Sequence, residues 1–355
     1  MFTRWIYIAL VIAVIVPLAA VVANADNADD VICGDLAESD CQILKDNLTA
    51  MESVGAMSFS VSMLIDVPEG DAVNDRTAMN MSLDAQGSLA VDPAILAAIV
   101  DLEDQIEESP SQLLSQDTIT VLDSFIAELT GDVTLDLHLV AEGETIDVEM
   151  HLLMRDGIFV LDAGALEDLM GQPMQGVDWF GLDANGIMTL VASDPSMTEA
   201  LGLMEDMGTD ASDIQAVEEA ATSVTRLADS EINGVAVAVF ESSVDMGLLT
   251  DLVVGLYDPQ GLMNPAEVAM TREALAETEL IMWQYIGIDD HYTYRTALTM
   301  EMGSSDAEDD GQGAVDRVLS LSMTLDQSNF NEPVVVEIPE DAFVMPLAML
   351  MQMGN

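Results

Sequence analysis

Four stretches of the chain alternate apolar and polar residues almost without a fault. From Val133 to Val140 the apolar positions are Val133, Leu135, Leu137 and Leu139, with Thr134, Asp136 and His138 between them. From Ile146 to Met154 they are Ile146, Val148, Met150, Leu152 and Met154. The same rhythm runs through Phe59, Val61, Met63 and Ile65, and through Leu319, Leu321, Met323 and Leu325. Alternation with a period of two marks antiparallel strands with one wet face and one dry face. A long sheet with an apolar face must have that face covered, and the identity of the cover becomes the functional question.

The 355 residues suit one large sheet-based unit or two small domains, and 50% of them are hydrophobic, enough for a sizeable core. The net charge is −57, from 65 acids against 8 bases, and Lys45 is the one lysine. Such a surface repels phosphate backbones and excludes nucleic acid as a partner. The acids are dispersed over strand faces and loops, as in a solvating coat. Weak surface binding of divalent cations is the alternative, since hard cations need only clustered oxygens.

The N-terminus reads Met1-Phe2-Thr3-Arg4, then an apolar run from Trp5 to Val22, then Ala23-Asn24-Ala25. A basic start, an apolar run and a small-residue cleavage site make an export signal over residues 1–25; a retained membrane anchor is the alternative. Either way the body, 26–355, lies outside the cytoplasm: secreted, periplasmic or at the cell surface. The two cysteines, Cys33 and Cys41, are then expected to close a small disulfide loop. Asp29-Asp30-Val31-Ile32 before Cys33 lacks the small residues of a lipidation signal.

A helix is expected from Asp40 to Ser53, then strands at Met57–Val67 and Ala78–Val91. Asp92-Pro93 and Ser109-Pro110 open two helices as cap and first-turn proline. The hairpin Val133–Met154 follows, with Leu139 against Ile146 and Leu137 against Val148. Gly157–Leu161 is a short strand. Trp179–Leu182 and Ile187–Val191 form a strand pair around the turn Asp183–Gly186. Val224–Ile232 and Val235–Ser243 form another around Asn233-Gly234. The last part is all strand: Leu280–Ile288, Tyr292–Met302, Ala314–Asp326 and Val334–Ile338. Strands with helices inserted between hairpins imply an antiparallel sheet rather than a parallel one.

The end of the chain carries Trp283 to Asp290, then Tyr294-Arg295, the strand Leu319–Leu325, and Asn329-Phe330-Asn331-Glu332-Pro333-Val334 closing on Ile338-Pro339. This resembles the lipoprotein-carrier superfamily of the LolA, LolB, LprG and LppX type, and Ser58-Phe59-Ser60 is similar to that family's first strand. The resemblance implies an α+β fold, a large curved antiparallel sheet (a half-barrel) wrapping several helices around an apolar cavity for acyl chains. It implies one such domain over 26–355, with helical insertions. The chain departs from the family in lacking a lipidation cysteine and in its length.

Other constellations are weaker. His138 and His151 share the polar face of the hairpin with Asp136, Asp147 and Glu149, but two histidines without a third ligand at set spacing do not make a metal site. Asp306–Gly311 begins like a calcium loop, yet its twelfth position is Arg317, where a bidentate carboxylate is needed. Asn47-Leu48-Thr49 and Asn80-Met81-Ser82 match the glycosylation sequon. Enzyme signatures and cofactor motifs are absent, so neither catalysis nor a cofactor is expected. Methionine is abundant, with Met63, Met81, Met150, Met154, Met300 and Met323 on dry strand faces; it lines surfaces that adapt to variable apolar partners. The reading is an exported protein, with no catalytic role, that binds a lipid or other lipophilic molecule and has the membrane surface as a further partner. Phe59, Val61, Met63, Leu135, Leu137, Val148, Met150, Leu321 and Met323 are the cavity candidates. The alternative is an acidic structural or adhesive surface protein with a dry core, in which those residues are a packed floor under helices.

Overall fold

In the computed structural model the alternating stretches become neighbours in one sheet. The structure describes residues 31–68, 78–108, 115–141, 144–164, 176–186, 188, 221–248, 278–304, 316–346 and 349. The helices are α1 (Glu38–Glu52), α2 (Pro93–Glu108) and α3 (Gln116–Glu128). The strands are β1 (Ala56–Val67), β2 (Met79–Ala90), β3 (Thr130–Ala141), β4 (Glu144–Arg155), β5 (Ile158–Asp162), β6 (Trp179–Asp183), β7 (Thr222–Arg226), β8 (Ser230–Ile232), β9 (Val235–Asp245), β10 (Glu279–Gly287), β11 (Thr293–Ser304), β12 (Asp316–Ser328) and β13 (Phe343–Pro346). They form one 13-stranded sheet in the order β13-β6-β5-β4-β3-β2-β1-β12-β11-β10-β9-β7, with β8 on β9. Every pairing is antiparallel except that of β13 with β6.

The hairpin register expected from the sequence is the one formed: Leu139 faces Ile146, Leu137 faces Val148 and Thr134 faces His151. A slip of one residue would turn every apolar side chain outward, so the buried face fixes the register. Helix α2 opens with Asp92, whose Oδ1 accepts from the Ala94 amide at 2.8 Å. Ser115, rather than Ser109, caps α3, its hydroxyl accepting from the Thr118 amide at 3.2 Å. Ser109-Pro110 lies outside the described residues, as do the export signal and the Asp306–Gly311 segment.

Three expectations are corrected. Val334–Ile338 is no ladder strand: it crosses the polar face of the sheet as a strap, and β13 instead supplies the edge strand beside β6. The partner of β6 is therefore β13, not Ile187–Val191, and Met188 is helical. The strand expected over Val224–Ile232 is broken into β7 and β8 between Leu227 and Asp229, where the Arg226 guanidinium bonds the Leu227 carbonyl and Asp229. Cys33 and Cys41 are disulfide-bonded, with Cα atoms 5.3 Å apart, which ties the segment before α1 to that helix's first turn.

Candidate functional site

The dry sides of successive strands align into apolar rows that run across the sheet. One row reads Ile146, Leu139, Met81, Ile65, Leu321, Met300, Leu280 and Val244, from β4 through β9. The next reads Val148, Leu137, Leu83, Met63, Met323, Leu298 and Met282, from β4 through β10. With strands ~4.8 Å apart, eight of them make a band roughly 30 Å wide. A third row starts apolar at Met150, Leu135, Ala85, Val61 and Leu325, then turns polar at Thr296 and Gln284. The apolar band therefore narrows on the β11–β10 side.

The nine residues expected to line a cavity all lie on this inner face, but in two environments. Phe59, Val61, Met63, Leu135, Leu137, Val148 and Met150 are buried in one cluster with Leu83 and Leu325. Leu96 and Ile95 of α2, Phe125 of α3 and the adjoining Leu129 pack onto that cluster. Leu321 and Met323 are half-buried, as are their cross-strand neighbours Met300, Leu298, Met282 and Leu280. Leu298, Met282 and Leu280 were not foreseen as site residues. The segment Leu280–Ile288 is apolar on both sides, so its sequence gives no sign of which residues face inward. Here Ile281, Trp283 and Tyr285 point to the outer face, where Trp283 Nε1 donates to Glu241 Oε2 at 2.8 Å.

Helix α1 covers the far end of the inner face at a lower level. Leu44 packs with Phe240, Ala238 and Ile286, and Met51 with Val54 and Met57. Its buried Asn47, 3% exposed, donates to the His291 carbonyl at 2.6 Å and to Thr293 Oγ1 at 3.0 Å. That corrects the sequon reading at this position: a side-chain amide committed to the core cannot carry a glycan.

The outer face is the charged one. His138 meets Asp147 at 2.5 Å, and His151 meets Asp132 at 2.7 Å, diagonal to the Thr134 it faces. Each histidine thus has its own carboxylate. Among the described residues no three His, Cys, Asp or Glu side chains converge to hold a metal. Arg295 grips Asp326 through Nε at 2.5 Å and Nη2 at 3.0 Å, a hydrogen-bonded pairing that raises the guanidinium's affinity for its proton. Burial, then the hydrogen bond to Asp290 at 2.6 Å, pushes the Tyr294 phenol well above its ordinary range.

No protein-family model matches the chain, and no curated protein does. Among solved structures, the chain is similar to the lipoprotein LppX of Mycobacterium tuberculosis, at 10% identity and a TM-score of 0.28, over 84% of this chain and 98% of that one. It is similar to LprF of Mycobacterium bovis at 13% identity and a TM-score of 0.35, over 86% and 99% of the two chains. A DUF1329 family protein from Desulfovibrio piger matches at 8% identity and a TM-score of 0.19, over 84% and 94%.

Proposed function

We propose that the chain from residue 26 onward is one exported lipid-binding unit. It would hold acyl chains without covalent chemistry on the inner face of its sheet, beneath helices that act as a lid. The observation that carries this reading is the apolar band across β4 to β9, covered by α2 and α3 where its central rows cross β1–β4 and half-buried at Leu321 and Met323 of β12 and over β11 and β10. Leu321 and Met323, with Leu298, Met300, Met282 and Leu280, would make first contact with the hydrocarbon. Phe59, Val61, Met63, Leu135, Leu137, Val148 and Met150 would join the site when α2 and α3 lift. Each buried methylene contributes ~0.8 kcal/mol, so about fifteen of them give about 12 kcal/mol, which leaves micromolar affinity after an association cost of about 4 kcal/mol. Six methionines within the band, Met63, Met81, Met150, Met282, Met300 and Met323, suit it to chains of variable shape. The location is extracytoplasmic, with the membrane as the source or destination of the ligand.

The tight burial of Val61, Leu83 and Leu137 favours a second reading, an acidic surface protein whose inner face is only core. Native mass spectrometry of gently purified protein, with a fluorescent fatty-acid titration, separates the two. Co-purified lipid and saturable uptake are expected. Leu298→Glu should weaken uptake at least about tenfold at unchanged circular dichroism, since a carboxylate in the band is costly to bury. A lipid-free protein that takes up no fatty acid leaves the structural reading in place.

A further inference from the structure

A second concavity lies on the opposite, polar face, under the strap. The outer row there runs Ser58, Ser88, Asp132, Leu153, Val160 and Gly181, from β1 to β6. Its character changes midway, and the strap responds. Over β4 and β5 the floor is apolar, and Val336, 3% exposed, packs on Leu153 and Val160 with Val334 and Ile338 beside it. The Arg155 Nη1 clamps the Val336 carbonyl there at 2.8 Å. At the other end Asn331 ties the strap to the start of β1, its amide donating to the Ala56 carbonyl at 2.7 Å and its Oδ1 accepting from the Gly55 amide at 2.8 Å. Between these two anchors the floor is small and polar, and the strap stands off it. The result is a groove of about 600 Å³, floored by Ser58, Ser88, Gln86, Thr134 and Asp132 and roofed by Glu332–Val335.

The lining sets the chemistry of what can enter. It holds no lysine or arginine, and the chain carries −57, so anions are excluded. Hydroxyls and amides supply both donors and acceptors, and the Asp132 and Glu332 carboxylates add strong acceptors. The Asp132 carboxylate is already engaged by the His151 ring at 2.7 Å, so the groove is less suited to a cation than its two acids suggest. Pro333, Val334 and Val335 give an apolar wall, and Val335 is 79% exposed. Gly87 lets β3 approach β2 closely here: a Cβ there would run into the Asp132 carbonyl oxygen and the Val133 Cα. Polar partners along the floor and a C–H-rich wall beside it suit a pyranose ring, whose hydroxyls radiate around its rim and whose faces are rich in C–H groups.

We propose that this groove binds a neutral, hydroxyl-rich saccharide. It lies on the other side of the sheet from the acyl band, so it is a separate site, and its ligand is a glycan of the surroundings rather than the headgroup of a lipid seated within. The test is a glycan array on the intact protein, followed by calorimetry with the best neutral oligosaccharide, with spermidine and inorganic phosphate as comparison ligands. Saturable binding of a neutral saccharide is expected, with unchanged fatty-acid uptake. Gln86→Ala with Thr134→Val should weaken it about tenfold, the loss of one or two hydrogen bonds. Ser88→Trp, which fills the groove, should abolish it. The exposed Gln86 and half-buried Thr134 make the double variant a safeguard if Ser88→Trp fails to fold. Binding of spermidine alone, no saccharide bound anywhere on the array, or binding that survives both variants would overturn the proposal.

Discussion

The two halves of the inner face present the same pattern of side chains and opposite degrees of closure. In the row that holds Met63, the residues Val148, Leu137, Leu83 and Met63 are buried, while Met323, Leu298 and Met282 just beyond the β1–β12 junction are half-buried. Among the described residues, the difference lies in the cover. Helices α2 and α3 sit between β2 and β3 in the chain and fold directly back over the strands they connect, so Leu96 and Phe125 reach the β1–β4 side. Helix α1 precedes β1 and instead lies against Phe240 and Ile286, below the apolar band. An apolar stripe does not decide by itself whether it is core or site; the connection that passes over it does.

The largest expected effect tests the closed half against the open one. Leu83→Ala, at a position 1% exposed, should cost about 3–5 kcal/mol in urea denaturation, the transfer loss plus the cavity left behind. Leu298→Ala should cost only about 1–2 kcal/mol, because its side chain is half-buried already. Equal losses would erase the distinction between the halves.

Reduction of Cys33–Cys41 comes next. Closing a loop between residues eight apart restricts the unfolded chain enough to be worth about 2–3 kcal/mol. Reduction should lower the thermal midpoint by that equivalent and raise amide exchange in α1 before α2 or α3. Exchange that rises equally in all three helices would mean that the covers are coupled rather than separate.

The smallest effect concerns Tyr294, on the outer side near the open half. Its proton is held more tightly in the folded state than its ordinary value of 10.0 allows. The folded state then binds more protons than the unfolded one above pH 10.0, so the stability this group contributes is full below that pH and declines as pH rises through it. Tyr294→Phe should flatten this alkaline decline in thermal-melt profiles. A profile identical to that of the parent would assign the decline to other groups.

Strand alternation made much of the fold legible. The pairings Leu139–Ile146 and His138–Asp147 followed from periodicity together with the position of the turn between the strands: alternation fixes which residues share a side, and the turn fixes which of them pair. The strap was misread for a related reason. Val334, Val336 and Ile338 alternate as a strand's residues do, since a segment lying with one edge on an apolar floor also needs every second residue apolar. What separates strap from strand is where the backbone hydrogen bonds go, and side-chain pattern does not encode that. The half-buried Leu280 and Met282 escaped notice because β10 is apolar on both faces: its aromatic outer side hides the inner one.

The sequence by itself determined that the chain builds a long antiparallel sheet with one dry and one acidic face, because alternation at period two and a charge of −57 admit little else. Tertiary structure alone decided which part of the dry face is sealed, that β13 closes the edge beside β6, and that a groove opens beneath the strap. These depend on contacts between residues far apart in the chain. Their geometry is set by which connection crosses which face, a choice that short-range patterns of side chains leave open.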